Sequence, residues 1–281
     1  MAKITASEVN ALRKQTGAGM MDCKNALVEA NGDIEKAVDI LRKKGQKVAA
    51  KRADREASEG VVISASNGQF GALIALNCET DFVAKNDSFI SLAWSFLDIA
   101  MSNKPANIEA LKACTLNNMT IEDKIIEQTG VIGEKLDLSS YEIVESSHVS
   151  AYIHGGNRLA TLVGLSSSVD EQIGKDIAMQ VAAMNPIALN EDSVPQSIKD
   201  NELDVAKDLA RQEGKPEEML ERIASGRLKK FFKENTLLNQ DFIKESNEIL
   251  LVVIFSTLVA LILGVSCIFW FESGIDLFSN L

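Results

Sequence analysis

Residues that can move protons, attack a carbonyl or hold a metal are few and scattered in this chain. Its histidines are His148 and His154. Its cysteines, Cys23, Cys78, Cys114 and Cys267, form no CxxC pair and have no histidine cluster beside them. That spacing argues against a zinc site or a disulfide framework and leaves reduced thiols as the expectation. No GxSxG, P-loop, HExxH or GxGxxG run occurs. Thr16-Gly17-Ala18-Gly19 lacks the Lys-Ser/Thr ending of a phosphate loop, so its glycines are read as a tight turn between helices. Cys23, close to a helix start, could have a depressed thiol pKa, but a small packing side chain is the better reading. Acid, base and nucleophile candidates do not converge, so no enzyme activity, cofactor or metal is expected. The densest chemistry lies in Cys78-Glu79-Thr80-Asp81-Phe82-Val83-Ala84-Lys85, which sets an acid and a large aromatic side by side. Phe is normally buried, so a Phe on a loop is a candidate contact residue. Folding back as a core plug is the alternative, and this segment alone leaves both open. Met20 and Met21, at a loop-to-helix start, are a second contact candidate because Met adapts to varied surfaces. One of the two is expected in the local core.

These residues need elements to hold them. A buried strand at 70–76 leads into the Asp81-Phe82 turn and a helix from Asp87 to Met101 leaves it. Asn67-Gly68 between apolar runs predicts a hairpin joining that strand to one at 61–66. The pattern recurs as a strand at 149–153, a turn at Gly155-Gly156-Asn157, a strand at 159–165 and a helix from Asp170 to Met184. Strand, turn, strand and helix occurring twice predict a duplicated α+β core. A mostly helical stretch (105–136) and a short strand near Tyr141 to Val144 lie between the copies. A polar helical pair, 195–213 and 216–233, follows, hinged at Gly214-Lys215-Pro216. The first fifty residues read as three short helices. Thr5 and Glu8 form a capping box, Val9 and Leu12 an apolar stripe, and Gly17 a stop. The second helix, Met20 to Ala30, stops at Asn31-Gly32. Asp33 caps the third, whose Ile34, Ala37, Val38 and Leu41 recur at helical spacing, and Gly45 is expected to end it.

At 281 residues the length fits about two domains. The net charge is −11, yet the first sixty residues hold 12 basic against 9 acidic side chains, so the remainder is strongly acidic. An acidic bulk argues against direct nucleic-acid binding and suits a protein that meets other proteins. The basic run Arg42 to Arg55 is read as a solvated helix end and linker. MAKITASEVN shows no apolar signal segment, so a cytoplasmic location is expected.

TGAGMMDCKNALVEANGD at 16–33 and the stretch at 78–85 together resemble the elongation factor Ts family, bacterial guanine nucleotide exchange factors for elongation factor Tu. YIHGGNRLATLVG at 152–164 and GKPEEMLERIASGRLKKFFKENTLLNQDFIK at 214–244 follow in the family's order, and the resemblance covers roughly Met1 to Ser246. It implies a ubiquitin-associated-like helical domain at 1–55 and a first core unit at 56–146. A second unit at 147–246 would carry a helical-hairpin insertion (about 190–230) able to form a homodimer. It also implies that Thr80, Asp81, Phe82 and Val83 enter the partner GTPase and disturb its magnesium, with Met20 and Met21 as N-terminal contacts. His154 matches a family position, where partner contact and a local hydrogen bond are equally open. The implied function is GDP exchange on elongation factor Tu. The alternative is a non-exchange adaptor or membrane-tethered interaction protein using the same surfaces.

The resemblance then stops, and 247–281 is read as an aberrant apolar tail. Ile249 to Phe271 carries no charge and would span about 34 Å as a helix, enough for a bilayer core of about 30 Å. Trp270 sits at one end. Lys229, Lys230, Lys233 and Lys244 precede the run while no Lys or Arg follows, which would leave its N-terminal side cytoplasmic. A tail anchor and a reading-frame change both account for it, and the abrupt end of the match favours the frame change. Either way the second core unit is expected to lack its closing strand.

Overall fold

The computed structural model describes residues 4–244 together with strands at 262–269 and 278–280, and it is an α+β protein. Local chemistry sets the first elements. Thr5 caps α1 (Ala6–Thr16), accepting the Glu8 amide while its own amide donates to the Glu8 carboxylate at 2.7 Å. Gly17 ends the helix at φ +70°, a conformation that costs glycine little. Next come α2 (Met20–Glu29) and α3 (Ile34–Arg52), the latter capped by Asp33 through the Lys36 amide. Leu12, Cys23, Leu27 and Ala37 close the small core between these helices.

The hairpin β1 (Glu59–Ser66) and β2 (Gly68–Cys78) turns at Asn67, whose carboxamide oxygen accepts the Phe70 amide at 3.0 Å. β2 runs into a single helical turn, α4 (Asp81–Ala84), and then α5 (Asp87–Asn103). α6 (Ile108–Ala113) and the ribbon β3 (Thr115–Leu116) and β4 (Met119–Thr120) lead to α7 (Ile121–Ile132). β5 (Asp137–Ile153) is one strand of 17 residues, where the sequence suggested a short strand at 141–144 apart from one at 149–153. The intervening Glu-Ser-Ser-His hides it: exposure alternates along these residues, but polarity does not. β6 (Leu159–Leu165), α8 (Glu171–Met184), α9 (Gln196–Gln212), α10 (Leu220–Asn235), β7 (Ile262–Phe269) and β8 (Phe278–Asn280) complete the described strands and α-helices, with short 3-10 turns at Glu217–Met219 and Leu237–Asn239. The sheet order is β1-β2-β5-β6-β7-β8.

Two compact units emerge: Met1–Val61 with Ile74–Tyr141, and Val62–Leu73 with Glu142–Leu281. In the first, α3 does not stop at Gly45 but continues to Arg52. Gly45 lies instead where α3 crosses α7 at Gly130, so close that a Cβ on Gly130 would fall 2.3 Å from the Gly45 Cα. The glycine is there for close helix approach, not for termination. Phe89, Phe96 and Leu97 of α5 are fully buried, as are Leu111 and Ile121.

In the second unit β5 and β6 pair antiparallel from His148↔Leu165 to Ile153↔Ala160. α8 packs over β6, with Val163, Leu165, Ile177, Val181, Leu237 and Phe242 sharing a core. Gln180 stitches the segment after α10 to α8, accepting the Ile243 amide at 2.9 Å and donating to the Asp241 carbonyl at 3.2 Å. The reading of 249–271 as a membrane helix fails over 262–269. Those residues form β7, paired antiparallel with β6 from Leu159↔Phe269 to Gly164↔Gly264. β6 would otherwise present a row of unpaired backbone groups, and an uncharged apolar run suits a sheet interior as well as lipid. The closing strand expected to be missing is therefore present. Residues 249–261 and 270–271 lie outside the described residues, among which no helix is long and apolar enough to cross a membrane.

Candidate functional site

The end of β2 leaves Glu79 and Thr80 to set the direction of the next turn. Thr80 sits at the N-cap of α4, but its hydroxyl does not cap the helix. It donates instead to Glu134 Oε1 at 2.7 Å, while the Thr80 amide donates to Glu134 Oε2 at 3.0 Å. The Thr80 carbonyl accepts the Ala84 amide at 3.2 Å and the Cys78 thiol at 3.2 Å. Glu79 faces the other way. Its carboxylate accepts Arg52 Nη1 at 2.6 Å, Arg55 Nη1 at 3.0 Å and the Lys135 amide at 2.6 Å. Burial alone would raise the Glu79 carboxyl, but the Lys135 amide and the two guanidiniums outweigh it and hold it at about 2. Burial, helped by the Glu134 charge, pushes the Cys78 thiol up to about 12, which keeps it a neutral donor.

On this base α4 carries the motif outward. Phe82 is 83 % exposed, so it is no core plug. Ala84 is buried and Val83 half-buried, so the turn is anchored on one side only. Asp81 forms an ion pair with Lys85 one turn on, at 2.7 Å. An exposed pair of this kind is worth only about 0.3–0.5 kcal/mol.

Met20 and Met21 begin α2 and are 55 % and 63 % exposed. The expectation that one would enter the small core fails, because Leu12, Cys23 and Leu27 already fill it. Cys23 is fully buried with its thiol directed at the Ala18 carbonyl (3.6 Å), a packing role. Met20, Met21 and Thr80 to Val83 belong to the first compact unit, whereas His154 belongs to the second. His154 ends β5, exposed, with Nδ1 3.0 Å from the Tyr152 hydroxyl and its amide donating to the Leu159 carbonyl at 2.8 Å.

Glu134 and Lys135 were not singled out from sequence, and Arg52 and Arg55 only as part of a basic run read as a solvated helix end and linker, whereas both bond Glu79. They lie roughly 25 and 55 residues from Glu79 and Thr80, and no local pattern announces the contact. Among the described residues no group of three or more His, Cys, Asp or Glu is placed to hold a metal. A cleft of about 620 Å³ in the second unit is lined by Ser66, Asn67, His148, Ser150, Glu171 and Lys175 among others, and by none of the motif residues.

The arrangement is thus an exposed acid-aromatic projection on a hydrogen-bonded helical turn. Residues 79–255 match a family model described as Elongation factor TS. A protein named Elongation factor Ts from Christiangramia forsetii is 57% identical over 252 residues, 88% of this chain and 91% of that protein. Proteins of the same name from Porphyromonas gingivalis and Amoebophilus asiaticus are 53% and 52% identical, each over 86% of this chain and covering 89% and 90% of their own lengths.

Proposed function

The chain belongs to the elongation factor Ts family, and from that premise we propose that it binds elongation factor Tu carrying GDP and speeds GDP release. Phe82 is the observation that supports this most: an aromatic ring 83 % exposed beside Asp81 on a braced helical turn. A GTPase holds its nucleotide partly through magnesium, which offsets repulsion between phosphate oxygens and nearby carboxylates. The ring and the acid enter beside that metal and displace the groups that orient its ligands, so its affinity falls. Nucleotide then leaves faster and no bond of GDP is broken. Linkage requires the converse: a factor that prefers the empty GTPase weakens nucleotide binding by the same ratio.

In this reading Met20 and Met21 supply affinity from the helical module at 1–55, and Thr80 and Val83 hold the turn. His154 adds a contact from the second core unit, 147–246. The protein acts in the cytoplasm on its protein partner, with no covalent step of its own.

Burying a Phe side chain that is 83 % exposed is worth about 1.2–2.5 kcal/mol. Phe82→Ala is therefore expected to slow GDP release at saturating factor by at least about tenfold. The measurement is release of a fluorescent GDP from elongation factor Tu on mixing with native or variant chain. Tight binding that leaves GDP in place would mark a non-exchange adaptor and refute the exchange reading.

A further inference from the structure

We propose that Glu79 and Glu134 are positioning residues of the exchange site, forming a crossed carboxylate brace that fixes Phe82 in its exposed pose and ties that pose to the end of α3. This rests on the exchange reading above and deepens it.

The need for a brace follows from the length of α4. It has four residues, a single turn, and no side-chain cap. Helix nucleation is unfavourable, so an isolated turn does not hold its shape in water. Phe82 cannot hold it either, since its ring points into solvent. The constraint comes from Thr80, whose amide and hydroxyl both donate to Glu134 and whose carbonyl accepts from Cys78 and Ala84.

The two glutamates work as a reciprocal pair. The side chain of Glu134 takes the backbone of Thr80, and the side chain of Glu79 takes the backbone of Lys135. Gly133, in the left-handed conformation at φ +82°, ends α7 and turns Glu134 and Lys135 toward the end of β2. Two strands of chain more than fifty residues apart are thereby locked in register by carboxylate-to-amide bonds, which are among the stronger hydrogen bonds available.

Glu79 also reaches beyond this lock. Its oxygens accept Arg52 at the end of α3 and Arg55 just after it. Lys135 Nζ donates to the Ala53 and Arg55 carbonyls, each at 2.9 Å. One network therefore spans the end of α3, the end of α7 and the start of α4, all within the first compact unit. The consequence for function is specific. The N-terminal helices contribute to the maximal exchange rate as well as to affinity, because their last residues help hold the turn that carries Phe82.

The test separates a positioning role from a merely structural one. GDP release from elongation factor Tu is followed across factor concentrations with the full chain, giving a saturating rate and a half-saturation concentration. Glu134→Ala and the pair Arg52→Gln, Arg55→Gln are measured alone and in a Phe82→Ala background. Thr80→Val, which removes only the hydroxyl donor, replaces Glu134→Ala if that variant fails to fold by circular dichroism. The expected result is a saturating rate lower by about tenfold for Glu134→Ala and about threefold for the arginine pair, with half-saturation moved less than about twofold. In the Phe82→Ala background neither change lowers the rate further, because the ring they position is gone. The inference is overturned if the substitutions leave the saturating rate unchanged while Phe82→Ala slows it, or if they slow it equally without Phe82. If the native chain releases no GDP, or Phe82→Ala has no effect, the exchange reading itself falls and this inference with it.

Discussion

Replacing Gly130 by Ala should destabilise the protein although alanine is the better helix former. The substitution adds one methyl in the interior of α7. On propensity alone it would stabilise by about 0.5–1 kcal/mol. At this position the new Cβ would meet the Gly45 Cα at 2.3 Å and the Gly45 amide nitrogen at 3.3 Å. Both are backbone atoms, which cannot rotate aside as a side chain would. To reach an ordinary contact of about 3.5 Å, α3 and α7 must separate by roughly 1 Å, which loosens interior packing. The separation would also pull Val131 from the core of the first three helices and lengthen the Arg42–Asp123 ion pair, now 2.9 Å. Overpacking of this kind costs about 1–3 kcal/mol, so the net loss is about 1–2 kcal/mol after the propensity gain. For a chain of this size that is a fall in melting temperature of about 2–8 °C. Two controls make the comparison internal. A Cβ on Gly45 comes no closer than 3.4 Å to the Ile126 carbonyl and 3.7 Å to the Glu127 carbonyl and the Gly130 Cα, all ordinary contacts, and one on Gly226 in α10 meets nothing within 4 Å. Gly45→Ala should be close to neutral and Gly226→Ala should stabilise by about 0.5–1 kcal/mol. Urea and thermal unfolding of the three variants measure this. Gly130→Ala as stable as Gly226→Ala would refute the account of the helix crossing.

Replacing Met20 and Met21 together by Ala should raise the half-saturation concentration for elongation factor Tu several-fold, to about fivefold, while thermal stability stays within about 0.5 kcal/mol because both side chains are exposed. Glu79, held at about 2 against an ordinary 4.5, contributes stability that is fully present above about pH 4.5 and lost as pH falls toward 2. Native chain minus Glu79→Gln should thus differ by about 1–2 kcal/mol at pH 7, allowing for screening around the partly exposed guanidiniums, and converge in acid unfolding near pH 2; a difference that persists there would refute the assignment. Truncation after Lys244 removes β7 and leaves Leu159–Leu165 paired on one side only. Light scattering should show concentration-dependent association of that variant but not of the full chain.

What the sequence revealed and what it hid divide by range of interaction. Thr5 with Glu8, Asp33 as a cap, Gly17 as a stop and Asn67-Gly68 as a turn are settled within three or four residues, and each stands where its local chemistry puts it. Gly45 was misread because a glycine that stops a helix and a glycine that admits a second helix look alike until Gly130 is placed against it. The run at 262–269 was misread for the same reason: apolarity is common to a bilayer span and a covered strand, and only the partner β6 separates them. At the candidate site the exposed Phe82 could be suspected from its neighbours. The grip of Glu134 on Thr80 could not, because it depends on how α7 ends and where β2 arrives.

The place of β7 beside β6 also sets a timetable for synthesis. The β1–β2 hairpin can close as soon as its turn at Asn67 is made. β6 finds its β5 partner within a few residues, across the turn at Gly155 to Asn157. Its other edge must wait for residues 262–269, roughly 100 residues later, or about 5–20 s at ordinary elongation rates. Throughout that interval the nascent chain carries an open strand edge, and the segment that will cover it is itself apolar enough to attract other surfaces. The order of emergence, rather than the finished sheet, opens this window for aggregation, and a chaperone that shields open edges would act on the chain within it.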